Sequence, residues 1–137
     1  MNVALALFVC VSLATAPDMP EDAAGVAQEI VEQQIRAFLN DDPVLAYALA
    51  SPAIHEKYPT QARFLEMVKR EYAPVYRPGN FAFGRTTRQG DTILQEVLIS
   101  SPDGKDWTAL YQLSRQPDDS YRINGVHLAP AAGGPGI

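Results

Sequence analysis

Thr92-Ile-Leu-Gln-Glu-Val-Leu-Ile-Ser100, Ser101-Pro-Asp-Gly-Lys105 and Asp106-Trp-Thr-Ala-Leu-Tyr-Gln-Leu-Ser114 are one continuous stretch, two β-branched and aromatic runs around a Pro-Asp-Gly turn. That composition is a β-hairpin. Side chains alternate along a strand, so the turn length decides which residues share a face. A three-residue loop, Pro102-Asp103-Gly104 with Gly104 in the left-handed region, pairs Ser101 with Lys105, Ile99 with Trp107, Val97 with Ala109, Gln95 with Tyr111 and Ile93 with Leu113. One face is then almost wholly apolar. The other carries Leu94, Glu96, Leu98, Thr108, Leu110 and Gln112, a mixed surface suited to solvent or to a partner. Trp107 is expected to be buried opposite Ile99, under the first or the third helix.

The same parity runs backwards into Asn80-Phe-Ala-Phe-Gly-Arg-Thr-Thr-Arg88, joined to Thr92 by Gln89-Gly90-Asp91. If that loop also has three residues, Phe81 faces Ile99, Phe83 faces Val97, Arg85 faces Gln95 and Thr87 faces Ile93. Arg85, Gln95 and Tyr111 then form a polar row across an apolar sheet face. Forwards, Gln116-Pro-Asp-Asp-Ser120 turns the chain into Tyr121-Arg-Ile-Asn-Gly-Val-His-Leu128. There Tyr121, Ile123 and His127 alternate against Val126 and Leu128, and Asn124-Gly125 is a candidate bulge, so the register stays open.

Ahead of the sheet the pattern is helical. Glu21 to Asn40 places Ala27, Ile30, Val31, Ile35 and Phe38 on one side and Gln28, Glu29, Glu32, Gln33 and Arg36 on the other. Asp42-Pro43 starts a second, short helix to about Ala50, and Ser51-Pro52 repeats that cap-then-proline signature through His55. Thr60 caps a third long segment with a buried stripe of Phe64, Leu65, Val68 and Tyr72, which Pro74 ends. Tyr72 to Pro78 is expected to be extended, since a residue before proline avoids the helical region.

The ends of the chain read differently. Residues 1–16 carry no charge, are apolar from Val3 to Leu13, and close on Ala14-Thr15-Ala16, the pattern of a cleaved export signal. The apolar run is short of the roughly 20 residues that span a bilayer. The expected layout is a signal peptide over 1–16, one domain over 17–128 and a disordered tail over 129–137, in a periplasmic or secreted protein whose mature chain has no stable membrane insertion. Cys10, the only cysteine, lies inside the signal, so no disulfide or thiol chemistry is expected in the mature protein.

Charge runs from −7 over 17–56 to +5 over 57–88 and −3 over 89–137, a total of −5. An acidic chain whose basic segment lacks interleaved aromatics gives no support for nucleic-acid binding. Metal-ligand spacings, a Gly-rich phosphate loop and a nucleophile elbow are missing from the sequence. No cofactor is expected.

Helices followed by an antiparallel meander make an α+β layer arrangement. Val75-Tyr76-Arg77-Pro78, Phe83-Gly84, Gln95-Glu96-Val97, Pro102-Asp103-Gly104 with Asp106-Trp107, Ala109-Leu110-Tyr111 and Arg122-Ile123-Asn124-Gly125-Val126 resemble a bacterial exported family known only as a domain of unknown function, within the nuclear transport factor 2-like superfamily. The resemblance spans about Ile30 to Leu128. It implies helices closing a curved four-stranded sheet into a cone with a cavity, and it assigns no residue a chemical role.

The candidate ligand-binding residues are Arg85, Gln95, Tyr111 and His127. Arg85 would offer a planar cation to a carboxylate or phosphate, Tyr111 a hydroxyl on an apolar ring, and His127, if it faces inward, a proton acceptor. The weighed alternative is a buried Arg85 hydrogen-bonded to Gln95 or to a helix acid such as Glu32, merely closing the cone, with His127 a strand-end residue. His55 is expected to be solvated. Three functional readings follow: non-catalytic binding of a small molecule or a protein partner in the cavity; an isomerase, cyclase or hydrolase-like enzyme using His127, Arg85 and Tyr111; and a structural domain that forms homodimers through the outer sheet face. The apolar face bears no carboxylate base, which favours binding.

Overall fold

The computed structural model describes residues 22–131. The expected signal peptide over 1–16 and the last part of the expected tail, 132–137, lie outside the described residues. Five helices, α1 (Ala23–Leu39), α2 (Pro43–Ala48), α3 (Pro52–Lys57), α4 (Gln61–Glu71) and α5 (Ala73–Tyr76), precede four strands, β1 (Asn80–Gln89), β2 (Thr92–Ser100), β3 (Asp106–Arg115) and β4 (Tyr121–Pro130). The strands form one antiparallel sheet in chain order. This is the expected α+β class.

Side-chain caps mark the starts of α2, α3 and α4. The Asp42 carboxylate accepts from the Leu45 N–H at 3.1 Å, and the Thr60 hydroxyl accepts from the Arg63 N–H at 3.1 Å. Proline occupies the first turn of α2 and α3, where its missing N–H would have had no helical partner. The same tolerance corrects one expectation: Ala73 to Tyr76 is a single helical turn and not extended, with Pro74 in its first turn. Arg77 follows it, stacked 4.0 Å from the Tyr76 ring centroid and donating to the Phe38 carbonyl and the Asp41 carboxylate. The end of α1 is thereby tied to α5.

α1 lies against β1, β2 and β4 and against α2 and α5. Its face of Ala27, Val31, Ile35 and Phe38 is sealed on Ile93, Val97, Ile99, Ala109, Leu113 and Ile123. Burying a side chain of this size contributes about 1.5–3 kcal/mol each, so α1 is held chiefly by its fit to the sheet.

The β2–β3 hairpin has the expected register. Gly104 sits at φ +85 and Ser101 donates to the Lys105 carbonyl at 2.8 Å, and every pair from Ile99 with Trp107 to Ile93 with Leu113 is as the three-residue loop requires. The β1–β2 hairpin departs from it. Gln89 pairs with Thr92, so the turn has two residues, Gly90 and Asp91, with Gly90 at φ +60 as such a turn needs. A bulge between Phe83 and Thr86 restores the parity beyond it, returning Phe83 to Val97 and Phe81 to Ile99. Between those two shifts the faces are exchanged: Thr86 pairs with Gln95, and Arg85 is exposed.

β4 carries a second bulge at Asn124, between the pairs Leu113 with Ile123 and Gln112 with Gly125. The extra residue reverses the alternation. Tyr121 and Ile123 face inward before it, Val126 packs against the core after it, and His127 is exposed opposite Leu110. The strand also continues to Pro130, which pairs with Trp107, so 129 and 130 belong to the sheet and not to a tail. Trp107 itself is half-buried, packed against the core but open to a groove beside Tyr72 and Pro74.

Two polar features are built into this core. Across the inner face, the Thr86 hydroxyl donates to Gln95 Oε1, while Gln95 Nε2 donates to the Glu96 carbonyl at 2.9 Å. Beside Gln95 the Tyr111 hydroxyl is wholly buried and has no hydrogen-bond partner among the described residues. At the start of α3, Ser51 accepts from the Ile54 N–H at 3.4 Å and donates to Asn124 Oδ1 at 2.7 Å. Its own N–H donates to the Ile123 carbonyl at 2.8 Å, and Ile123 returns an N–H to the Leu49 carbonyl at 2.9 Å.

An orphaned buried hydroxyl costs about 1–3 kcal/mol in desolvation. Tyr111→Phe should therefore match or exceed the parent in urea titration, whereas Tyr111→Ala should lose about 3–5 kcal/mol as for other large aromatic truncations. A marked loss in Tyr111→Phe would mean that the hydroxyl is engaged. Removing the exposed Asp42 cap by Asp42→Ala should cost about 1 kcal/mol. Ser51→Ala should cost more in the same titration, because the buried Ser51 is at once a cap and the donor to Asn124.

Candidate functional site

The four residues singled out in the sequence do not converge. Gln95 and Tyr111 are neighbours across β2 and β3, fully buried inside the sheet–helix core. Burial holds the Tyr111 hydroxyl well above the usual phenol range, so it stays protonated. Arg85 points away from them because the bulge gives its place to Thr86, and His127 lies on the outer side because the Asn124 bulge reverses its parity. The expected row of Arg85, Gln95 and Tyr111, with His127 near it, is therefore replaced by Thr86, Gln95 and Tyr111. That row is internally bonded at Gln95, through Thr86 and not through a buried Arg85.

The space able to receive a ligand is displaced toward β4. A cavity of about 210 Å³ lies between α1, α3, α4, α5 and the bulged part of β4. Phe38, Phe64, Met67, Val68, Val75 and Ile123 make its apolar wall, all of them buried in the folded chain. Phe38 and Phe64 stack with centroids 6.2 Å apart, and Tyr47 tilts against Phe64 at 5.5 Å. Close-packed aromatics of this kind give a wall that is stiff as well as apolar.

Two amides bring polarity to this wall, each fixed at one end. Gln34, buried on α1, donates from Nε2 to the Ala46 carbonyl at 3.1 Å, which ties α1 to α2 and leaves Oε1 with no hydrogen bond among the described residues. Asn124 accepts at Oδ1 from Ser51. With Oδ1 taken by the Ser51 proton, the Asn124 Nδ2 group remains a donor. The cavity is thus lined by two amides, Gln34 and Asn124, each held at one end by the protein.

Tyr58, Tyr72 and Lys57 complete the lining. Tyr58 is held through its carbonyl, which accepts from the Tyr47 hydroxyl at 2.6 Å. His55, expected to be solvated, is half-buried: its ring stacks on Tyr47 at 4.0 Å and its Nε2 bonds the Tyr47 carbonyl at 2.6 Å. It stiffens the α2–α3 corner. Among the described residues no carboxylate, histidine, serine or cysteine lines the cavity.

Gln34 is not among the candidates read from the sequence, although its spacing from Val31 and Phe38 puts a polar residue inside the apolar α1 stripe. Asn124 was legible as a bulge residue. That the two border one cavity depends on how α1 crosses β4, which no local pattern contains.

Two solved structures are similar in part. One is an NTF-2 like protein of unknown function from Burkholderia xenovorans LB400, 14% identical, with 83% of this chain and 91% of that chain covered and a TM-score of 0.49. The other is a de novo designed beta sheet protein of cystatin fold, 15% identical, with 60% and 99% covered and a TM-score of 0.35. No curated protein matches the chain. The model of one family, described as "Domain of unknown function (DUF4864)", matches residues 21–134 and so takes in every helix and strand described above; the chain belongs to that family.

Proposed function

We propose that this chain is an exported, non-catalytic domain that binds a small, largely apolar molecule in the cavity between its helices and β4. The reading is carried by one observation, the apolar cavity of about 210 Å³ lined in part by the pinned amides of Gln34 and Asn124. A few fixed polar groups in an apolar pocket orient a ligand. An apolar cavity of roughly 150 Å³ holds benzene, so this one suits a single ring with a short substituent, or a chain of similar bulk.

The residues on which an enzymatic reading rests do not meet in this cavity. General acid–base work needs a titratable group within hydrogen-bond reach of the reacting atom. The enzymatic alternative relied on His127 and Arg85, which are exposed away from the cavity, and on Tyr111, which is sealed in the core. Export rests on the apolar, uncharged residues 1–16 ending in Ala14-Thr15-Ala16. Among the described residues no helix is long and apolar enough to cross a membrane. A homodimer through the outer face would use the exposed Leu98 and Leu110 and leave the cavity untouched.

Filling the cavity should abolish binding without unfolding the chain. Val68→Phe adds bulk to the wall at a stability cost of about 1–3 kcal/mol, and calorimetric titration with phenylpropanol should then read no heat where the parent protein binds. Equal binding by the two proteins would place the ligand elsewhere. Native mass spectrometry of protein recovered from the periplasm should give a chain beginning at Pro17, with a small-molecule adduct that Val68→Phe lacks. A chain still beginning at Met1 would overturn the export reading, and a mass doubled in the parent but not in Leu98→Lys would mark the outer face as the dimer contact.

A further inference from the structure

The cavity borders a surface cleft of opposite character. Lys57, Tyr58 and Met67 line both the cavity and an adjoining cleft of about 280 Å³, whose other walls are Arg63, Glu66 and Arg70. Arg70 is shared between Glu66 at 3.8 Å and Glu71 at 3.6 Å. Lys57 and Arg63 make no salt bridge among the described residues. The Lys57 ammonium stands 5.7 Å from the Tyr58 ring centroid, at the junction of cavity and cleft. A chain of net charge −5 therefore carries two uncompensated cations beside the mouth of its apolar cavity.

We propose that the ligand of this cavity is a small amphipathic anion, whose apolar body fills the cavity and whose carboxylate lies in the cleft between Lys57 and Arg63. The proposal rests on the cavity reading above and adds the chemical class of what is bound. An apolar body removes its surface from water among Phe64, Met67 and Val68, while a carboxylate stays hydrated and meets two cations, so neither end pays for full desolvation. A neutral ligand of the same shape would use only the first term. Arg63 adds a planar donor fork that matches two carboxylate oxygens, and Lys57 a mobile point charge. Both cations are exposed, which limits their joint contribution to about tenfold in affinity and makes it sensitive to salt.

Phenylpropionate and phenylpropanol share one apolar body and differ in the charged head, so calorimetric titration of both with the full mature chain separates the two terms. At low ionic strength phenylpropionate should bind about tenfold tighter than phenylpropanol, and the ratio should shrink as salt is raised. In the double variant Lys57→Gln with Arg63→Gln the ratio should fall to about one. A ratio near one in the parent protein, or a ratio that the double variant leaves intact, would overturn the anionic-head proposal while phenylpropanol binding upheld the cavity. Failure of both compounds to bind would remove the cavity reading and this proposal with it.

Discussion

The junction of Ser51 with the bulge at Asn124 is the constraint on which the rest of the site depends. Ser51 and Leu49 exchange backbone hydrogen bonds with Ile123, and the Ser51 hydroxyl meets the Asn124 amide. A bulge leaves one residue of its strand outside the ladder, and that residue would otherwise need water. Here the start of α3 answers for it. Arg122 adds a donor to the Ala48 carbonyl at 2.7 Å, at the end of α2. The two short helices are thus fastened to β4 by polar bonds, and α1 is fastened to the sheet by apolar burial.

The cavity follows from that division. Where α1 meets β1 and β2, side chains interdigitate and Gln95 and Tyr111 are sealed without access to solvent. Where the helices meet β4, the Asn124 bulge and the pinned α2–α3 corner hold Ala50, Ile54 and Asn124 on one side, and Phe64, Met67 and Val68 of α4 stand on the other. Space remains because the backbone bonds at the junction fix the distance that side chains would otherwise close. The fold therefore separates a rigid half from a receptive half.

The polar groups divide in the same way. Thr86, Gln95 and the adjoining backbone satisfy one another inside the sheet, and Tyr111 is left with a buried hydroxyl that burial keeps protonated. Such groups specify packing rather than recognise a ligand. Gln34 and Asn124 each spend only part of their hydrogen-bonding capacity on the protein, and both line the cavity. Cations gather on the segment from Lys57 to Arg70 at its rim.

Residue order alone was enough for the α+β order, the caps at Asp42, Ser51 and Thr60, the register of β2 on β3 from Ile99 with Trp107 to Ile93 with Leu113, and membership of a domain family without an assigned role. These are local facts, set by turn chemistry, capping and period. Phe81 and Phe83 were placed correctly, but through two compensating differences: a two-residue turn at Gly90 and a bulge before Thr86 cancel beyond Phe83 and displace only Arg85 and Thr87. His127 turned outward for the related reason that one extra residue, Asn124, exchanges the faces of a strand whose side chains have period two. Only the tertiary structure could decide these positions, because a bulge is stabilised by what covers it. Ser51, 73 residues before Asn124, is what covers the second one.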